Sequence, residues 1–105
     1  MKLYLAGPMS GYPDHNFPAF NAETARLRAL GYEIVNPAEL NLDVDRTQTP
    51  YDLWRICMRK DIHALIDCDG IILMKDWPNS KGACLEHQIA RGLKLQILFC
   101  DEVKS

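Results

Sequence analysis

The sequence lacks most of the features that announce a chemistry directly. Its four cysteines, Cys57, Cys68, Cys84 and Cys100, form no C-x-x-C pair and have no zinc-finger spacing with histidine. They read as small hydrophobes of a reducing compartment, and nothing around them marks a catalytic thiol. There is no H-E-x-x-H, no G-x-x-x-x-G-K-[ST] and no G-x-G-x-x-G. Metal, ATP and dinucleotide chemistry therefore have no motif behind them, and no cofactor is expected. Charge of one sign is also missing: 12 Lys and Arg stand against 14 Asp and Glu, a net charge of -2. That balance offers no broad basic surface to a polynucleotide. No apolar run approaches the roughly 18 residues of a membrane span. The N-terminal MKLYLAGPMS has too short an apolar run for a signal peptide. Cytoplasmic residence without a membrane partner is the expectation. Internal repeats and low-complexity segments are absent as well.

What is present is an ordinary globular composition. The chain has 105 residues, 48% hydrophobic and 25% charged, which suits one domain over 1–105 with one modest core. Strand-like and helix-like segments alternate along it. Residues 3–6 (LYLA) read as a strand stopped by Gly7-Pro8, and the Gly- and Pro-rich GPMSGYPDHN follows. A first helix is predicted from about Asn16 to Pro18 through Leu30, with Gly31 as its stop. Residues 32–35 (YEIV) form a second strand. Residues 36–50 read as a long polar connection, a length usually functional or mobile. Thr49, Pro50 and Asp52 then give a helix start, as cap, first position and third position. That helix reaches about Ile66, and Asp67 to Gly70 form a turn. A third strand (71–74, IILM), a third helix (82–91, ended by Gly92) and a fourth strand (95–99, LQILF) complete the series.

Short, almost wholly apolar strands separated by helices indicate a parallel sheet covered on both faces. Right-handed crossovers make this a small doubly wound α/β domain, flavodoxin-like, in the order 2-1-3-4. In that order the chain reverses direction between strands one and three, and ligands bind beyond the C-terminal strand ends at such a point. The segments there are 7–11 and 75–80. Glu86, near the start of the third helix, lies beside them.

A second acid stands out on the second helix. Residues placed at about 100° intervals put Leu53, Trp54, Cys57, Met58, Ala64 and Leu65 on one arc, with Asp61 in its middle. Arg55, Arg59, Asp52 and His63 take the opposite side. A carboxylate on a buried face is costly unless bonded. It is either held by backbone or a neighbouring hydroxyl, or it is a shielded acid facing the crevice with a perturbed pKa. Tyr4, in the first strand, is either a core tyrosine or the hydroxyl partner of one of these acids. Asp67 and Asp69 belong to a turn at the far edge of the sheet. Asp76 follows strand three on the crevice side, and is either a substrate contact or, the simpler reading, a surface-loop acid. The histidines give no signal: His15 is in a loop, and His87 is turned about 100° from Glu86.

Three fragments, LYLAGPM, KDIHALIDCDGIILM and SKGACLEHQIARG, occur in order. Together they resemble the nucleoside 2-deoxyribosyltransferase superfamily, including its deoxynucleoside-monophosphate N-glycosidase branch. AGPMSGYPDHNFPAF is similar to the opening of the short bacterial and phage members, the DUF4406-type group. The resemblance covers most of the chain except 38–50. It implies that Glu86 is a nucleophile toward C1′ of the sugar. It implies that Asp61 orients the sugar or manages the proton of the leaving base, and that Tyr4 positions Glu86. Ser80 and Gly82 match the turn that holds sugar or 5′-phosphate oxygens, and Gly7, with its neighbours Pro8 and Met9, the first-strand loop at the sugar. Asp76 and Trp77 are expected at the same crevice.

Such chemistry suits these residue types. Breaking an N-glycosidic bond develops positive charge at C1′, which a carboxylate stabilises or captures. The helix N-terminus and the Tyr4 hydrogen bond are expected to keep Glu86 ionised. Longer enzymes of the superfamily usually carry a fifth strand, and a neighbouring subunit adds to the pocket. This chain stops soon after strand four with DEVKS, so a residue from that end has no expected counterpart. The resemblance implies a homo-oligomer, at least a dimer, acting on a small nucleoside or nucleotide. The rival expectations are a non-catalytic nucleotide or nucleotide-sugar binder on the same fold, and a protein-binding module that uses 36–50.

Overall fold

Strands β1 (Lys2–Ala6), β2 (Glu33–Val35), β3 (Gly70–Leu73) and β4 (Gln96–Phe99) form one parallel sheet in the computed structural model, which describes residues 1–104. The strand order is β2-β1-β3-β4, the flavodoxin-like order expected above. Around it lie α1 (Phe17–Ala29), α2 (Pro37–Leu40), α3 (Pro50–Leu65) and α4 (Lys81–Gly92). Side chains alternate across a strand, so β1 divides the core between the two faces. Leu3 and Leu5 pack with Phe20 and Leu27 of α1 on one face. Tyr4 and Ala6 pack with Leu65 of α3 and with Ala83 and Ala90 of α4 on the other. All six β1 and α1/α3 anchors named here other than Ala6 are fully buried. Truncating one of the leucines to alanine costs roughly 2–5 kcal/mol.

The helix ends follow local chemistry. Thr49 Oγ1 accepts the Asp52 N–H at 3.2 Å, and Pro50 occupies the first turn of α3. Ser80 Oγ accepts the Ala83 N–H at 3.1 Å and starts α4. At the end of α1, Gly31 takes φ +99°, donates to Arg28 O at 3.0 Å, and leaves Tyr32 N–H to Leu27 O at 3.2 Å. This double bond is the Schellman stop. The end of α4 repeats it with a different residue. Gly92 lies inside the helix, and Lys94 takes the left-handed position at φ +59°. Lys94 N–H reaches Arg91 O at 3.1 Å and Leu95 N–H reaches Ala90 O at 2.9 Å.

Residues 36–50 differ from the polar connection read in the sequence. Their first third is ordered and buried. Asn36 Oδ1 accepts the Ala38 N–H at 2.9 Å and caps α2, and Asn36, Ala38 and Asn41 are nearly inaccessible. Arg28 clamps α2 from outside, with bonds to both Glu39 oxygens at 2.9 and 2.8 Å and to Ile34 O at 2.9 Å. Lys60 of α3 donates to Leu40 O at 2.7 Å and to Asp43 at 2.9 Å. The segment is thus a strap fastened to α1 and α3, and its exposed part begins at Leu42. No helix of the described residues is long and apolar enough to cross a membrane.

Candidate functional site

The reversal between β1 and β3 opens a cleft of about 410 Å³. Gly7, Pro8 and Met9 leave β1 along one side of it, and Ser80 and Gly82 at the start of α4 close the opposite side. A Cβ at Gly7 would lie 2.9 Å from Met74 Cβ, so the first loop residue must be glycine for β3 to approach. Leu53, Trp54, Cys57 and Met58 supply an apolar wall from α3. Tyr4, Asp61 and Glu86 also line the cleft, so the three polar groups read as a set in the sequence do meet.

Their geometry is close. Tyr4 Oη donates to Glu86 Oε2 at 2.5 Å. Asp61 Oδ1 accepts from Asn41 Nδ2 at 2.8 Å, and the same Nδ2 donates to Pro37 O at 2.8 Å. Glu86 is 4% exposed and Asp61 5%, so both carboxyls sit where an unshared charge is expensive. Burial pushes Asp61 up to about 6, against the Asn41 bond, the Tyr4 hydroxyl and the Lys60 charge. Burial, then the Asp61 charge, push Glu86 up to about 8, against the Tyr4 bond. Burial and the two acids raise Tyr4 well above the ordinary phenol value, so it remains a donor.

Taken together, the two raised values favour one shared proton on the pair at neutral pH. The raised Glu86 value runs against the expected pull of the helix N-terminus and Tyr4 toward the ionised form. One reason is position. Glu86 is in the second turn of α4, and a helix terminus acts on charge mainly within its first turn. The other is company: one tyrosine bond does not offset desolvation plus a second carboxylate.

Asp76 and Trp77 are not part of the cleft lining. Asp76 takes a left-handed φ of +68° and turns the chain into a short 3-10 helix, Trp77–Asn79. Trp77 then packs on the Tyr4 side of the sheet and lies 4.5 Å from the His87 ring. Several cleft residues had escaped the sequence reading. Arg46 and Gln48 reach the cleft from the strap, and Lys81 lines it from α4. Lys81 Nζ sits 4.5 Å from the Trp54 ring centroid, a cation–π contact. Arg46 Nη2 donates to Asn41 O at 3.1 Å. Trp54 could have been found, since it shares the arc of Asp61. Nothing in the sequence marks Asn41, whose role depends on a contact between α3 and the strap. Among the described residues there is no His, Cys, Asp or Glu cluster that could hold a metal ion.

The parallel sheet in the order β2-β1-β3-β4 with helices on both faces defines a small doubly wound α/β protein. A solved 2-deoxyribosyltransferase from the psychrotolerant bacterium Bacillus psychrosaccharolyticus is similar over 94% of this chain and 71% of its own, with a TM-score of 0.72 and 17% identity. The chain belongs to the family described as "Domain of unknown function (DUF4406)", which it matches over residues 1–99. No curated protein matches it.

Proposed function

We propose that the cleft cleaves or transfers at the N-glycosidic bond of a (deoxy)nucleoside or nucleoside monophosphate. The observation that carries this reading is two buried carboxyls, Glu86 and Asp61, disposed about one tyrosine hydroxyl on a cleft wall. The fold shared with a 2-deoxyribosyltransferase agrees with it. In the reactive arrangement the single proton sits on Asp61 and Glu86 is the anion. The Glu86 carboxylate bonds to C1′ as the C1′–N bond breaks, and the electron pair leaves with the base. Asp61 gives the base its proton. Water or a second base then gives its proton to the Asp61 carboxylate, bonds to C1′ and displaces Glu86, which restores both groups. Tyr4 directs the Glu86 oxygen throughout. Gly7, Pro8 and Met9 contact the sugar, and Ser80 and Gly82 receive sugar or phosphate oxygens at the helix start.

The test is release of free base from a panel of deoxynucleosides and their 5′-monophosphates. Glu86→Ala is expected to abolish release, and intact mass after a substrate pulse is expected to show a deoxyribosyl adduct on Glu86. Base release unchanged in Glu86→Ala overturns the mechanism. A homo-oligomer, at least a dimer, belongs to the same reading, and light scattering of the purified chain checks it.

One observation favours a second reading. Burial and the Asp61 charge push Glu86 up to about 8, which suits a hydrogen-bonding group better than a nucleophile. A non-catalytic nucleotide or nucleotide-sugar binder follows from that. It predicts tight binding without base release, and affinity little changed by Glu86→Gln.

A further inference from the structure

A second basin lies at the other end of α3, open to solvent and about 650 Å³ in volume. It shares no lining residue with the cleft. Val35, Leu40 and Ala64 form its apolar part, and all three are half-buried. Lys2, Arg59, Lys60 and His63 stand around them, with Asp67 as the single acid in the wall. A chain of net charge -2 thus gathers three permanent cations and a histidine about one hollow.

Three of these groups are uncommitted. Lys60 is engaged by Asp43 and Leu40 O. Among the described residues, Lys2, Arg59 and His63 make no ion pair with any carboxylate. Surface cations normally sit among acids, and clustered cations repel one another in the absence of a counter-charge. Arg59 and His63 are one helical turn apart on α3, so both side chains reach the same hollow. Lys2 arrives from the start of β1. An anion between them gains a guanidinium fork and an ammonium. The half-buried apolar patch beneath gains cover if the anion carries a ring or hydrocarbon.

We propose that this basin is a binding site for a small organic phosphate, with the phosphoryl group between Lys2, Arg59 and His63 and the apolar portion on Val35, Leu40 and Ala64. The site is independent of the glycosidic reading of the cleft.

Backbone-amide NMR titration of the full chain tests it, with phenyl phosphate, inorganic phosphate and phenol as probes. Phenyl phosphate is expected to shift amides near Lys2, Arg59, His63 and Ala64, and to bind at least tenfold more tightly than inorganic phosphate. Phenol is expected to leave them unmoved. Arg59→Glu should weaken phenyl phosphate at least tenfold, and Asp67→Asn should tighten it; both residues are exposed, and an unchanged amide spectrum elsewhere verifies folding. Equal affinity for inorganic and phenyl phosphate removes the organic part of the assignment and overturns it. So does a response confined to amides of Gly7, Ser80 and Gly82, or binding unchanged in Arg59→Glu.

Discussion

Tyr4 and Glu86 lie 82 positions apart in the chain, and the Tyr4 hydroxyl donates to the Glu86 carboxyl at 2.5 Å. The bond joins the middle strand of the sheet to the second turn of α4, and both partners are buried. Among the described residues it is the one direct contact that favours a charge on Glu86 over a proton. Its removal is therefore informative in two ways. Tyr4→Phe should cost about 1–3 kcal/mol, the usual penalty for leaving a buried polar group without its partner. It should also raise the Glu86 pKa, so the one-proton pair persists further and the alkaline limb of kcat/KM for base release moves to higher pH. Urea unfolding and a pH–rate profile read the two effects separately. A limb that stays in place in Tyr4→Phe counts against Glu86 as the titrating group.

The acid pair also sets how stability varies with pH. Asp61 rises from 3.8 to about 6 on folding and Glu86 from 4.5 to about 8. The folded protein thus holds these protons more tightly than the unfolded chain does. Their contribution to stability is complete below about pH 4 and is lost as pH rises through the folded values. The urea midpoint should fall between pH 5 and pH 9, and Glu86→Gln should flatten the upper part of that decline. A midpoint that rises over this range in the wild type contradicts the raised values.

Asn41 is the strap's contribution to the pair. One amide nitrogen serves both Pro37 O and Asp61 Oδ1. Asn41→Ala leaves Asp61 Oδ1 without its amide donor, while Pro37 O keeps the backbone N–H of residue 41 at 3.1 Å, and a loss of about 1–3 kcal/mol is expected. Asn41→Asp adds a carboxylate beside Asp61, so its deficit should be larger at pH 8 than at pH 5. Chemical denaturation at the two pH values checks both variants.

Lys94 holds a backbone conformation that Gly31 holds in the equivalent stop of α1. A side chain there carries a steric cost that glycine does not. Lys94 is exposed, so little packing is at stake. Lys94→Gly should stabilise the protein by about 0.5–1 kcal/mol, read as a higher urea midpoint at unchanged slope.

Much of this architecture could be read from the sequence because its signals are local. Gly31, Pro50 and the four apolar runs punctuate the chain where the structure does, and the strand order is the flavodoxin-like one, among the few that right-handed crossovers allow. Asp61 was visible because one acid among six apolar neighbours breaks a helical pattern. What was not visible depends on tertiary contact. A four-residue helix such as α2 carries no periodicity, and its stability comes from Arg28 and Lys60 reaching in from other helices. Asp76 and Trp77 looked like crevice residues because they follow β3, but a single left-handed residue redirected them. The protonation of Glu86 depends on a carboxyl that lies 25 positions earlier and on how much water the two share.

The alternation of β1 has a consequence for how this chain can change over generations. Leu3 and Leu5 face α1 while Tyr4 and Ala6 face α3 and α4. Deleting one residue before Tyr4 exchanges the two sets: the hydroxyl would enter the largely apolar α1 side, and a leucine would face two acids. One lost codon there would erase the core and the acid pair together. The exposed part of the strap beyond Leu42 has no such parity, so length variation among descendants should collect there and stay out of the first strand.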